Sequence, residues 1–447
     1  MADRRDPNAQ LPEAAIEAET EATAHLGAAA MEVPPELLAQ TLVQYFRAWF
    51  TRVRSGDAGV LPVIAALALV FAYFQAVVPE GLYLQPENLV NLFKQGAVFM
   101  VLAMAEGFVL LLGEIDLSAG YVAAIGGTVA AELVQPVWGW PWWAAIVAAL
   151  ALCGTIGLVQ GQIITRLRLP SFVVTLAGFL LWNGVLIVLL GKAGGVGVTS
   201  PTSNDQKMIY GIVWNNVEPF TGWIVMAVIV SLLGATMWLR DAGRRRGGLV
   251  APPPGLTYLK IAFVAAAGIA VVAISNVNRG RFLPIEGVPW VVLLVLGILA
   301  VWTVLLERTP FGRHVYAVGG NAEAARRAGI NVGAVRTMGF VLCSFTAGFA
   351  GIIYASQQAG MTTNIQGGQL VLYAVGAAVI GGTSLYGGRG RVIHGVLGGL
   401  VIAAIYNGLF MLGYEVQVQY IVTGLVLLAA VTIDAVSRRG ATGGAAA

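Results

Sequence analysis

Apolar runs near the ~20 residues needed to cross a bilayer recur along the chain, separated by short polar stretches. About twelve can be marked, near 60–78, 96–112, 117–134, 142–164, 171–190, 222–239, 258–275, 289–306, 335–355, 370–382, 392–412 and 417–436. VLPVIAALALVFAYFQAVV (60–78) carries no charge, and YIVTGLVLLAAVTIDAV (420–436) carries one. Outer helices of a soluble domain would need charged faces, which these segments lack. The pattern predicts an all-α polytopic membrane protein with about 10–12 transmembrane helices. Ten is as admissible as twelve, because losing two adjacent spans leaves the sidedness of every loop unchanged. The segment at 258–275, fenced by GRRRGG (243–248) and APPPG (251–255), is the natural peripheral extra.

Composition agrees. Of 447 residues 57% are hydrophobic and 11% charged, where a soluble domain carries roughly 25% charged. Of the 26 Lys and Arg, 21 fall in one set of alternating loops and tails. Five (Lys94, Lys192, Lys207, Arg279 and Arg281) fall in the other. Basic residues mark cytoplasmic loops, so both termini are expected in the cytoplasm. Residues 1–35 are Ala-rich and acidic, with seven Asp/Glu against Arg4 and Arg5, and read as a disordered cytosolic tail. In 36–54, Leu38, Leu42, Tyr45, Trp49 and Val53 form one helical stripe beside Arg47, Arg52 and Arg54. An interfacial amphipathic helix and a plain lead-in to the first span both fit. Residues 437–447 form a second cytosolic tail. Cys153 and Cys343 lie in apolar segments without metal or disulfide spacing.

Three stretches depart from this background. LLGEIDLSAG (111–120) places Glu114 and Asp116 between Gly113 and Gly120, at a point where two apolar segments would otherwise merge. Asp116 and Ser118 can cap the helix that follows, and broken helices in transporters line the path; capping and substrate contact both stay open. In ERTPFGRHVYAVGGNAEAARRAGINVGAVR (307–336), Asn321 is an N-cap candidate, Glu323 falls in the first turn, and Gly329 ends a run of helix formers. A short exposed helix is expected there; a solvated connector with basic residues obeying the positive-inside rule is the alternative, and the cap–helix–Gly design argues for a docking element instead. VIGGTSLYGGRGRVIHG (379–395) supplies a second glycine-rich break, and an internal duplication would make the two breaks equivalent points. His394 stands alone and reads as a packing or hydrogen-bonding residue.

Absences narrow the chemistry. GKAGG (191–195) lacks the spacing of a phosphate loop, and no protease or hydrolase motif occurs. Neither catalysis, a metal nor nucleic acid is expected of this chain. Glu106 is the only acid well inside an expected span, where a lone charge costs about 2.5–3.5 kcal/mol. It should face the bundle interior, be protonated or pair.

GEIDLSAG (113–120) resembles the G-x-IDLS-x-G signature of membrane permeases of ATP-binding-cassette importers for monosaccharides, the ribose, xylose and galactose group. GGNAEAARRAGINV (319–332) resembles the cytoplasmic coupling segment of that family, and PSFVVTLAGFLLWNGV (170–185) and GGTSLYGGRG (381–390) its later signatures. The resemblance covers about residues 90–436, and Glu114 together with the extra hydrophobic segment is most like the xylose-type branch. It implies a type II-like permease domain over 60–436, with a coupling loop at 307–334 and broken helices near 113–120 and 381–390. It also implies a homodimer in the inner membrane, two cytoplasmic ATPase subunits holding the ATP and Mg, and an extracytoplasmic sugar-binding protein. Matched by motif, Asn321, Glu323, Ala324, Ala325, Arg326, Gly329 and Ile330 would dock the ATPase. Gly113, Glu114, Asp116, Ser118, Gly120, Gly381, Gly382 and Gly388 would shape the path. Neutral polar and aromatic residues suit a polyhydroxylated solute, so Gln160, Trp182, Asn183, Gln357, Asn364 and Asn407 are path candidates alongside Glu106. A nucleoside, an autoinducer or a branched-chain amino acid is the alternative cargo. An ion-coupled secondary transporter is the alternative class.

Overall fold

The computed structural model describes residues 41–54, 59–199, 203–280 and 283–443. The expected tail at 1–35 lies outside the described residues. Among those described, eight helices are long and apolar enough to cross a membrane, and four shorter apolar helices accompany them: Leu61–Val77, Ala119–Leu133, Gly367–Ile380 and Val416–Ala429. This is the all-α polytopic architecture the sequence pattern predicts. Two two-stranded ribbons interrupt it, Gly195–Gly197 against Gly360–Thr362 and Asn216–Val217 against Val288–Pro289, both antiparallel.

The chain divides into two compact units. Among the described residues the smaller comprises 41–54 and 229–266, and in it the helix Leu42–Arg54 occurs within the expected amphipathic stretch. Its own ties include the Thr257 hydroxyl donating to Asp241 Oδ2 at 2.9 Å, with Arg240 at 3.1 Å from Asp241 Oδ1.

The larger unit holds the core. At its centre runs Pro86–Leu110, 78% of whose span window is buried, against 11% for Pro254–Ser275, the expected peripheral helix. The central helix is surrounded by Gly367–Ile380, Val392–Met411, Val332–Gln357 and Trp290–Arg308. It starts ten residues before the apolar run at 96, because Pro86 opens it and the polar turn of Asn88, Asn91, Lys94 and Gln95 continues the same helix. Lys94, expected in a loop, is therefore helical and buried, with its ammonium 5.0 Å from the Trp214 ring centroid. Hydrocarbon supplies no hydrophobic drive between helices, so close backbone approach at small residues has to hold them. A side chain on Gly351 would stand 1.7 Å from the Ala123 carbonyl oxygen, and one on Gly398 1.7 Å from that of Ala377.

Two of the short helices are short for one reason. Ala119–Leu133 and Gly367–Ile380 have 15 and 14 residues, which at 1.5 Å per residue spans only about 20 Å of a ~30 Å core. Each adjoins a non-helical stretch, Leu111–Ser118 in the first case and Gly381–Arg391 in the second.

Candidate coupling junction and translocation site

The first break begins where Gly113 takes φ +74° and the chain leaves the central helix. Asp116 and Ser118 are both fully buried. Asp116 Oδ1 accepts from the Ser118 backbone N–H at 3.0 Å and from its hydroxyl at 2.6 Å. Asp116 thus satisfies the N–H of Ser118, the N-cap of Ala119–Leu133, whereas Ser118, the other expected cap, makes no side-chain capping hydrogen bond. The chain extends sideways, since Gln160 Nε2 donates to Ser118 Oγ at 2.9 Å. The other carboxylate oxygen, Asp116 Oδ2, is buried without a hydrogen-bond partner among the described residues. Gly120 corrects the expected boundary: it lies one residue inside the resumed helix, where a side chain would collide with the Gly367 carbonyl at 1.9 Å.

Glu114, by contrast, reaches outward to Arg336, 3.3 Å from its guanidinium Nε to Oε1, an ion pair without hydrogen-bond alignment. Arg336 stands in the first turns of Val332–Gln357. Glu106 is fully buried in the central helix, and neither carboxylate oxygen has a hydrogen-bond partner among the described residues.

The second break follows Gly367–Ile380. Gly382, Gly387, Gly388 and Gly390 all take positive φ, whereas Gly381 is right-handed and small because His394 O would lie 1.9 Å from a Cβ there. His394 Nδ1 accepts from the Arg391 N–H at 3.3 Å and helps to cap Val392–Met411.

These two breaks, 270 residues apart in sequence, touch. The Gly388 N–H donates to the Leu111 carbonyl at 2.8 Å. The third party to the contact is the 307–336 segment. It forms two helices where one is expected: Pro310–Gly320, capped by Thr309, precedes Ala322–Arg327. In the last turn of the first lies Gly319, where a side chain would meet the Leu111 carbonyl at 1.8 Å and Gly388 N at 2.7 Å. Tyr316 donates its hydroxyl to Gly390 O at 2.9 Å, and Glu307 pairs with Arg391 at 2.7 Å. The segment therefore grips the second break through Glu307 and Tyr316, and the first through Gly319 and Arg336. We call this contact the glycine junction.

From it projects Ala322–Arg327. Asn321 Oδ1 accepts from the Ala324 N–H at 2.9 Å, and Glu323 pairs with Arg326 and Arg327 at 3.0 and 3.4 Å. Gly329, at φ +83°, closes the helix, while Ala325 is buried and Ile330 packs on the main core. Glu323, Arg326 and Arg327 stand exposed.

The path candidates do not share one place. Gln160 and Trp182 lie beside Ser118, with Trp182 Nε1 buried and unpartnered. Asn183 is half-buried in Ser171–Leu190. Gln357 and Asn364 lie at the opposite end of Val332–Gln357 from the junction, and line a cavity of about 240 Å³ with Gln95, Phe99, Tyr354, Gln369, Tyr373 and Tyr406. Asn407 lies outside the lining. It pairs reciprocally with Asn88 (2.9 and 3.1 Å) and donates to Gln95 at 3.2 Å, fixing one wall. Sequence reasoning missed Gln95, Gln369 and the three tyrosines; their signal, amides recurring at the ends of apolar runs, is visible only once helix ends are known. It also missed Arg336, Glu307 and Tyr316, because a charge at a helix end serves membrane sidedness equally well. Among the described residues no cluster of metal-ligating side chains occurs.

Buried broken helices, polar groups paired inside an apolar bundle and an exposed capped helix tied to both breaks define a multi-pass membrane permease. The chain belongs to the family described as "Branched-chain amino acid transport system / permease component", which it matches over residues 88–431. It is 34% identical over 391 residues to the xylose transport system permease protein XylH of Haemophilus influenzae, covering 87% of this chain and 99% of that protein. It is 30% identical over 392 residues to the ribose import permease protein RbsC of Escherichia coli K12, covering 88% and 96%. To the D-allose transport system permease protein AlsC of the same organism it is 26% identical, covering 82% and 89%. No solved structure matches the chain.

Proposed function

We propose that this chain is the membrane permease subunit of an ATP-binding-cassette importer for a neutral monosaccharide, D-xylose first among the candidates. It performs no bond chemistry; the ATP and Mg belong to a separate cytoplasmic subunit. It works as a homodimer in the cytoplasmic membrane with both termini inside, fed from outside by a soluble sugar-binding protein. The xylose relatives, similar along almost their whole length, support the cargo class.

One observation carries the mechanism: the segment bearing the exposed Ala322–Arg327 helix touches both helix breaks through backbone. A carbonyl packed on a glycine leaves no soft side chain to absorb a displacement. A push on Asn321, Glu323, Ala324, Ala325, Arg326, Gly329 and Ile330 by a closing ATPase pair therefore moves Gly319 against Leu111 and Gly388. Both breaks then shift as one, and the helices they join retilt. Glu114–Arg336 and Glu307–Arg391 hold the flanks in register while this happens.

The test is ATPase stimulation in proteoliposomes carrying the permease and its partner ATPase. Binding proteins loaded with xylose, ribose, galactose or an amino acid would be added in turn. Stimulation by one loaded sugar-binding protein, abolished by Glu323→Ala, is the expected result. Solute movement by the chain alone down an ion gradient, with no ATPase engaged, would sink the reading.

A further inference from the structure

We infer that the 240 Å³ cavity is a sugar-holding subsite of the permease itself, in which Gln357 and Asn364 are free recognition groups. That cargo fills it rests on the importer reading; that it accepts a neutral polyol rests on its walls.

No charged side chain lines the cavity among the described residues. The nearest cation in sequence, Lys94, is buried and turned onto Trp214. An amino acid would bring an ammonium and a carboxylate into a site with no countercharge, which is costly. A sugar hydroxyl donates and accepts at once, and amides present both partners side by side.

Seven amides line the cavity and fall into two sets: Gln95, Gln366, Gln369 and Gln419 each make a side-chain hydrogen bond, whereas Gln357, Gln358 and Asn364 make none among the described residues. Gln369 donates to the Tyr373 hydroxyl at 2.6 Å and accepts from Tyr420 at 3.1 Å, and Gln95 accepts from Asn407 at 3.2 Å. These are spent on the walls. Gln357 and Asn364 make no side-chain hydrogen bond within the described residues while lining the space. In the same lining Phe99 meets Tyr373 and Tyr406 edge-on at 5.5 and 6.0 Å between centroids. These rings supply apolar surface for the C–H face of a sugar ring. The volume equals about eight waters at ~30 Å³ each and falls under the ~300 Å³ where drug-sized pockets begin, which suits a single small ring.

The consequence is that selection does not rest wholly with the soluble binding protein. The experiment is equilibrium binding of radiolabelled D-xylose, D-ribose and L-leucine to the purified permease alone in lipid nanodiscs. ATP-driven uptake by the full assembly is measured in parallel. Saturable sugar binding should appear without ATPase or binding protein, and weaken about tenfold in Gln357→Ala or Asn364→Ala, the scale of one lost hydrogen bond to a polar ligand. Gln357→Glu, nearly isosteric, should abolish it while elution as a monodisperse species shows the fold intact. Sugar binding that is absent, unchanged in these variants, or displaced by leucine binding overturns the subsite. Uptake by the assembly with no binding to the permease overturns the subsite and leaves the importer standing. Binding with no ATP-driven uptake does the reverse.

Discussion

The two ends of the core in the larger unit are built on opposite rules. At the glycine junction backbone meets backbone, positive-φ glycines abound, the flanks are ion-paired, and a side chain added at Gly319, Gly387 or Gly388 collides. At the cavity end the contacts are made by amides and phenols, charge is absent from the lining among the described residues, and space is left over. Glycine contacts are stiff because the neighbour is a carbonyl that cannot rotate away. Amide contacts are adaptable because each side chain can turn and exchange partners. The proposed roles, force transmission at one end and accommodation of a solute at the other, would draw on that asymmetry.

The largest expected effect comes from filling the junction. Gly319→Val should eliminate assembled permease, since its Cβ would stand 1.8 Å from Leu111 O, whereas Gly320→Ala, with nothing within 4 Å, should be tolerated. Yield of monodisperse protein distinguishes them; equal yields would remove the backbone contact from the mechanism. Next, Glu323→Ala or Gly329→Asp should uncouple transport while membrane insertion is kept. Gly329→Asp forces a side chain onto φ +83°. The readout is sugar-stimulated ATPase, and stimulation at the wild-type level in both variants would contradict docking at this helix.

Smaller effects sharpen the comparison. A double-mutant cycle of Glu114→Gln and Arg336→Gln should return a coupling of about 1 kcal/mol, the upper range for partly exposed pairs, read from thermal unfolding of the solubilised protein. A coupling indistinguishable from zero would mean the pair sets geometry without holding it. Smallest of all, Glu106→Gln should leave yield and uptake nearly unchanged. The native carboxylate has no hydrogen-bond partner among the described residues, so a neutral amide of the same shape loses little. A collapse of uptake in that variant, with folding intact, would instead make Glu106 part of an ion-coupled path.

Much of this was legible from the sequence. Apolar runs gave the class and most spans, since hydrocarbon tolerates only one way of pairing a backbone within a single segment. The cap at Asn321 and the stop at Gly329 are local, so three or four residues determine them, and both occur in the structure. The breaks were marked by glycine and by Asp116, again through local chemistry. Boundaries slipped where a polar turn continued a helix, at 86–95, and where Gly120 proved to be a contact residue inside one.

What only the tertiary structure decided is which distant residues meet. Leu111, Gly319 and Gly388 share no local pattern; each glycine alone permits many conformations, and their common purpose is a close approach that sequence spacing cannot express. Gln95, Gln357, Asn364 and Tyr406 belong to separate elements, and converge because glycine seams such as Gly351 on Ala123 and Gly398 on Ala377 set how near the helices stand. Local propensity is a property of neighbours along the chain, and so it fixes elements and their ends. Force transmission and solute recognition depend on neighbours in space, which packing alone assigns.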